Sequence, residues 1–232
     1  HGEHGLGHDA ELLADHGENL YEEGMGMGHG EHLRGEWGTR IPFMVAVPGA
    51  PHPALNRVAG LGSAVDITPT VAALLGMPRH EKWEGRDLSW HVTGRGNKPA
   101  PGTAYSETGI WFSDRGDHFF QKQRIMYPDI VRLSEVDFKN NREVVLRGEG
   151  YPGVVVLAKH RAWREGRYKL VYIPLRDGIR WELYDTEADP YNRHNLVERL
   201  PALAAAMKDK LVKFCSAPGR DAHVNGYFFP DK

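Results

Sequence analysis

The residues able to do chemistry crowd into the first forty positions. Asp15-His16-Gly17-Glu18 sets a hard carboxylate beside an imidazole. Adjacent Asp and His can ligate one divalent cation if the backbone turns sharply, as it does at a strand end, and Gly17 allows such a turn. The neutral imidazole then supplies nitrogen, and Glu18 could lie behind the ligands or orient the imidazole. On these residues alone a solvated loop is the commoner outcome, because acidic and histidine side chains are usually exposed. Gly26-Met27-Gly28-His29-Gly30 frames a second histidine with glycines. A histidine on such backbone suits a group that approaches an anionic ester and gives it a hydrogen bond or a proton. The plain alternative is a turn with an incidental histidine. Arg40 enters the run Ile41-Pro42-Phe43-Met44-Val45, where a structural ion pair is the favoured reading.

Elements must hold these groups. Ile41 to Val47 reads as a buried strand of parallel-sheet type, with Pro42 at its start and Pro48-Gly49 at its end. Ser63 to Gly76 reads as a helix: Asp66 or Thr68 caps it, Pro69 suits the first turn and Gly76 the stop. Val65, Val71, Ala72 and Leu75 then share one face. Strand, loop and helix in that order predict an α/β layer. Thr103–Phe112 is a further candidate strand, and residues 113–150 give no clear element. Later the pattern changes to short β-type runs at Val154–Leu157, His160–Arg164, Tyr168–Ile173 and Trp181–Tyr184. Gly166 and Arg176-Asp177-Gly178 separate the later ones. Residues 200–214 form an amphipathic helix with Leu200, Leu203, Ala204, Met207, Leu211 and Phe214 on one side. The expected division is 1–150 and 151–232, the latter a small antiparallel sheet covered by that helix.

The chain has 232 residues, with 29 basic against 31 acidic and a net charge of −2. That balance gives no basic nucleic-acid footprint. No apolar run approaches the roughly 18–20 residues of a membrane span. A single cysteine, Cys215, excludes an internal disulfide and a cysteine-based zinc cluster, and reads as a small buried hydrophobe. Thirteen histidines are present, and six of them (His1, His4, His8, His16, His29 and His32) fall within the first 32 residues. Trp83, Trp90, Trp111 and Trp181 read as packing residues before cleft residues.

The pieces in this order resemble the sulfatase family of the alkaline phosphatase superfamily. The resemblance is carried by Asp15-His16-Gly17-Glu18, Gly28-His29-Gly30, Arg40-Ile41-Pro42, Val65-Asp66-Ile67-Thr68-Pro69-Thr70, Leu74-Leu75-Gly76 and Gly85-Arg86-Asp87-Leu88. Tyr105-Ser106-Glu107, Arg167-Tyr168-Lys169-Leu170, Glu182-Leu183-Tyr184-Asp185, Asp189-Pro190 and Asn195-Leu196 extend it. It implies a partial alkaline-phosphatase-like mixed sheet with helices, followed by the small C-terminal antiparallel subdomain. It implies that Asp15 and His16 are metal ligands, for calcium by preference and for manganese, zinc or magnesium in relatives. It implies that His29 contacts the ester oxygen and protonates the leaving group. Arg34 and Glu107 are further residues able to approach the site. The family's nucleophile, a Cys or Ser converted to formylglycine in Cys/Ser-x-Pro-x-Arg, has no counterpart before residue 15; Cys215-Ser-Ala-Pro218 has the wrong spacing. The expected chain is therefore the C-terminal part of a sulfuric ester hydrolase, inactive alone, whose partner is the N-terminal part of the same enzyme. A periplasmic or extracytoplasmic setting follows from the resemblance. Two alternatives stand beside it: phosphoester or phosphonate-ester hydrolysis (or phospho-group transfer) on the same scaffold, and a noncatalytic module holding zinc or nickel through the N-terminal histidines.

Overall fold

The computed structural model describes residues 10–22, 27–47, 57–109, 123–125, 134–146 and 151–231. His1, His4, His8, Gly26, Pro48-Gly49 and Trp111, all weighed above, lie outside the described residues. In chain order the first strands are β1 (Ala10–Leu13), β2 (Asn19–Leu20), β3 (Met27–Gly28) and β4 (Phe43–Ala46). Helices α1 (Ile67–Leu74) and α2 (Trp90–Thr93) follow, then β5 (Thr103–Glu107), β6 (Ser134–Asp137) and β7 (Glu143–Leu146). The C-terminal part carries α3 (Tyr151–Ala158), β8 (Arg161–Glu165), β9 (Tyr168–Leu175), β10 (Gly178–Asp185), α4 (Pro201–Cys215), β11 (Ala222–Val224) and β12 (Tyr227–Phe229).

The described residues form a mixture of helices and small antiparallel sheets. Its contacts divide the chain elsewhere than at residue 150. One compact unit takes the residues up to Gly17 together with Arg40–Ala104; the other takes Glu18–Thr39 and the chain from Tyr105 onward.

In the first unit β1 pairs antiparallel with β4, Leu12 facing Met44 and Leu13 facing Phe43. This corrects the expected parallel, buried strand. Its apolar run is real, but Met44 is 60% exposed and Leu12 also 60%. Helix α1 buries Ala72 of the expected face together with Pro69 and Thr70, while Val71 is half-buried and Val65 and Leu75 stay exposed. Nor does Asp66 cap the helix by a side-chain bond. Its carboxylate instead accepts the Ser63 N–H at 3.0 Å, the Arg86 N–H at 2.6 Å and the Arg86 guanidinium at 2.5 Å. Thr70 donates its hydroxyl to the Asp66 carbonyl at 2.6 Å and accepts the Leu88 N–H at 3.0 Å. The Val-Asp-Ile-Thr-Pro-Thr and Gly-Arg-Asp-Leu motifs are thus two halves of one hydrogen-bonded corner. Gly85 is required there, since a Cβ at that position would lie 1.8 Å from the Val65 carbonyl oxygen.

The second unit is built on a four-stranded sheet of order β10-β9-β8-β5. β9 is central, paired antiparallel with β8 and β10 along its two edges, and its residues are buried on both faces. Leu170 and Tyr172 point to one face. There, with Leu183, they meet Ala204, Met207, Leu211 and Cys215 of α4, and Phe228 of β12. The spacing of those helical residues repeats every three to four positions, as an amphipathic stripe must. The helix was expected over residues 200–214 and spans Pro201–Cys215. Val171, Ile173 and Leu175 point to the other face, where they pack with Ala162, Tyr184 and Leu33. Cys215 is buried and unbridged, as a small hydrophobe would be. Trp181 packs beneath α4, with Lys208 lying 5.0 Å over its ring.

Two further expectations are corrected. Val154–Leu157 is helical, part of α3, because an apolar run without alternation does not separate helix from strand. The Thr103 strand stops at Glu107 among the described residues. The charged stretch near residue 137 contains an antiparallel hairpin, β6 with β7.

Candidate active-site residues

Asp15 and His16 follow the end of β1 in the first unit. Asp15 Oδ1 accepts the His16 backbone N–H at 3.0 Å, and the chain bends at Asp15. His16 Nδ1 lies 2.8 Å from the Gly17 carbonyl oxygen. A carbonyl only accepts, so Nδ1 donates, which in the neutral ring leaves Nε2 as the ligand nitrogen. Nε2 lies 3.6 Å from Asp15 Oδ2. Two ligands of one cation, each about 2.0–2.5 Å from it, stand at about such a separation. A hard oxygen and an imidazole nitrogen with its tautomer already set fit a divalent cation. Both side chains are largely exposed, Asp15 at 88%.

His29 is placed from the second unit. β2 and β3 form a minimal antiparallel pair, Asn19 opposite Gly28. The buried Asn19 donates Nδ2–H to the Gly28 carbonyl at 2.8 Å. On the other side of the histidine, the Gly109 N–H donates to the Gly30 carbonyl at 2.9 Å. Gly30 has φ +79°, a conformation that L side chains rarely adopt, so glycine suits the position. Gly109 is fixed through its buried neighbour: the Thr108 N–H bonds the His160 carbonyl, and the His160 N–H returns to Thr108 Oγ1, each at 3.0 Å. The imidazole Nδ1 of His29 meets Glu18 Oε2 at 2.9 Å.

Residues 32–36 then run over the second face of the sheet in polar contacts. Arg34, expected as a substrate ligand, directs its guanidinium to Glu182 at 3.1 and 3.3 Å and to the Tyr184 hydroxyl at 3.3 Å. Glu182 is completely buried and also pairs with Arg180 at 2.8 Å. Burial opposes the Arg34 charge, but Glu182 and Tyr184 outweigh it and raise its pKa. Lys169, buried on the same face, donates to the carbonyls of Leu33 and Gly35 and to Glu36 at 2.8 Å. Burial lowers its pKa, and Glu36 works against that shift. His32 accepts the Arg34 N–H on Nδ1 at 3.2 Å, and its pKa falls to about 4 through burial first, then the charges of Arg124, Lys169 and Arg34. It is a neutral, structural histidine at ordinary pH. Glu107 takes the Tyr105 hydroxyl at 2.8 Å and pairs with Lys159. Arg40 is exposed.

The sequence singles out Asp15, His16 and His29 as candidates, but not the residues that hold them. Glu18, expected to lie behind the metal ligands or to orient the imidazole, bonds the His29 ring. Asn19 follows Glu18 directly, which is the only sequence signal for its role. Thr108, Gly109 and His160 carry none, because the bond from Gly109 to Gly30 joins residues far apart in the chain.

Comparison with known proteins bears on these residues. Residues 12–77 match the family model for Sulfatase, a span that contains Asp15, His16 and His29. Among solved structures, a 2-O GAG sulfatase is 19% identical with a TM-score of 0.59, over 90% of this chain and 36% of that one. The phosphonate monoester hydrolase of Agrobacterium radiobacter is 17% identical with a TM-score of 0.59, over 96% of this chain and 38% of that one. A protein solved in complex with its substrate D-glucosamine-2-N,6-O-disulfate is 18% identical with a TM-score of 0.54, over 89% of this chain and 33% of that one. The chain thus spans little more than a third of the length of these proteins, and the likeness to them is one of fold.

Proposed function

Starting from a sulfatase match over residues 12–77 and a fold shared with sulfatases and a phosphonate monoester hydrolase, we propose that this chain is the C-terminal part of a sulfuric ester hydrolase dependent on a divalent cation. The observation that carries the reading is the presence of Asp15, His16 and His29, in family order, inside the matched span. Asp15 and Nε2 of His16 would hold the cation, calcium by resemblance. Such a cation, when bound, draws charge from the ester oxygens. His29, as imidazolium, gives its Nε2 proton to the bridging oxygen of the ester while that oxygen takes the electron pair of the breaking S–O bond. The nucleophile, formylglycine in sulfatases, and further acidic ligands would come from the N-terminal part of the same enzyme. Arg34 serves this reading through the fold, by neutralising Glu182 beneath the segment that follows His29. An extracytoplasmic setting accompanies the family reading; no helix among the described residues is long and apolar enough to cross a membrane.

The phosphonate monoester hydrolase among the similar folds favours a second reading, hydrolysis of phosphonate or phosphate monoesters by the same residues. The test is turnover of aryl sulfate, aryl phosphate and aryl phosphonate esters with calcium, manganese or zinc. The isolated chain is expected to show none. Complemented by its N-terminal part, it is expected to cleave aryl sulfate best and to lose that activity in Asp15→Ala. Preference for the phosphonate selects the second reading. Clear turnover by the isolated chain, lost in Asp15→Ala, refutes the proposed partition of the active site.

A further inference from the structure

We propose that Glu18 is the positioning residue of His29, selecting its tautomer and aiming its proton-carrying nitrogen; this rests on the role given to His29 above. A carboxylate accepts, so the 2.9 Å contact requires the proton on Nδ1. Proton exchange with a substrate then passes through Nε2. Free imidazole in water favours the opposite neutral form, with the proton on Nε2, so the carboxylate is what makes the difference.

An exposed Glu–His pair arises often by chance, and here both side chains are partly exposed. Three observations distinguish this one. Asn19, the residue after Glu18, grips the Gly28 carbonyl, so one short stretch of chain holds both the backbone before His29 and its ring. Gly109 grips the Gly30 carbonyl beyond it, and Thr108 and His160 tie Gly109 to the sheet. Gly28 has φ +125°, a conformation that L side chains rarely adopt, and its open space faces Glu18 Oε1. The loop is therefore held on both flanks of the histidine, and Glu18 holds the ring at Nδ1. During ester cleavage the imidazolium gives up its Nε2 proton to the alcohol oxygen. The neutral ring that remains is the Nδ1–H form, already bonded to Glu18, so no tautomer change is needed before the ring is reprotonated at Nε2.

The test reads the tautomer directly. The full chain, labelled with ¹⁵N and freed of metal by chelation, is examined by long-range ¹H–¹⁵N spectra of the histidine rings at a pH where they are neutral. The His29 signals are identified by their loss in His29→Gln. In the wild type His29 is expected as the Nδ1–H form. Glu18→Gln, which keeps a carbonyl acceptor, is expected to preserve it, and Glu18→Ala to revert it to Nε2–H. An Nε2–H ring in the wild type, or an unchanged ring in Glu18→Ala, overturns the proposal. In the complemented enzyme Glu18→Ala is expected to slow esters of poor leaving groups about tenfold more than nitrophenyl esters, with KM little changed, because only the former need the proton. Equal slowing of both would mean that Glu18 does not act through His29. Complete absence of ester hydrolysis with the tautomer effect intact would instead count against the functional reading alone.

Discussion

Arg34 and Glu182 show how a side chain that looks available in sequence becomes a structural one. Glu182 has no exposure to water, and its charge is tolerated only because Arg34 and Arg180 face it. Removing one partner leaves a buried carboxylate partly uncompensated. Arg34→Ala is expected to lower stability by about 2–3 kcal/mol, less than a fully orphaned pair because Arg180 remains. Urea denaturation of the second unit's fluorescence measures it, and an unchanged midpoint would return Arg34 to the candidate substrate ligands. His32 gives a pH dependence. Its folded pKa, about 4, lies below its ordinary 6.5. Between those values the unfolded chain binds more protons than the folded one, so stability is full above pH 6.5 and falls as pH drops toward 4. His160, wholly buried, is shifted in the same direction by burial first and by Arg124 next, and adds to the loss. The loss expected from His32 is about 1–3 kcal/mol. His32→Gln should flatten the acid limb of a denaturation series taken across that range.

At the level of elements, the corner between α1 and the Gly85-Arg86 segment and the seat of α4 make different demands. The corner depends on the close passage of Gly85 by Val65 and on the buried carboxylate of Asp66. Gly85→Ala is expected to break it, and hydrogen exchange should then rise sharply over residues 63–90 while the sheet of the second unit is unaffected. The seat of α4 depends on apolar fit. Leu211, fully buried against Tyr172 and Phe228, is expected to cost about 2–5 kcal/mol as Leu211→Ala, read from thermal denaturation. The same distinction explains which elements were legible. α4, β8, β9 and β10 announce themselves by periodicity and by the Asp177-Gly178 turn. α3 did not, since four consecutive apolar residues obey both periods.

For the whole molecule, the two units differ in what covers them. The second has apolar layers on both faces of its sheet. In the first, among the described residues, Ala72 is the buried apolar side chain besides Pro69, while Leu12, Met44, Val65 and Leu75 are exposed. A two-stranded ribbon without an apolar cover is marginal in water. Amides of β1 and β4 in the isolated chain are accordingly expected to exchange far faster than those of β9. Protection of β1 and β4 equal to that of β9 would show that the first unit is stable as it stands.

The sequence by itself determined the chemistry on offer and its order: Asp15 beside His16, His29 between glycines, a C-terminal antiparallel sheet under an amphipathic helix. These are local properties, written in residue type, spacing and period. Tertiary structure decided which groups meet. It turned Glu18 toward His29, took Arg34 to Glu182, and joined Gly30 to Gly109, whose neighbour Thr108 is tied to His160. Those links connect residues from about ten to about 150 positions apart. No local pattern encodes such pairings, because they form only when both faces of β9 are covered and the polar segment at residues 32–36 must find partners for every buried charge.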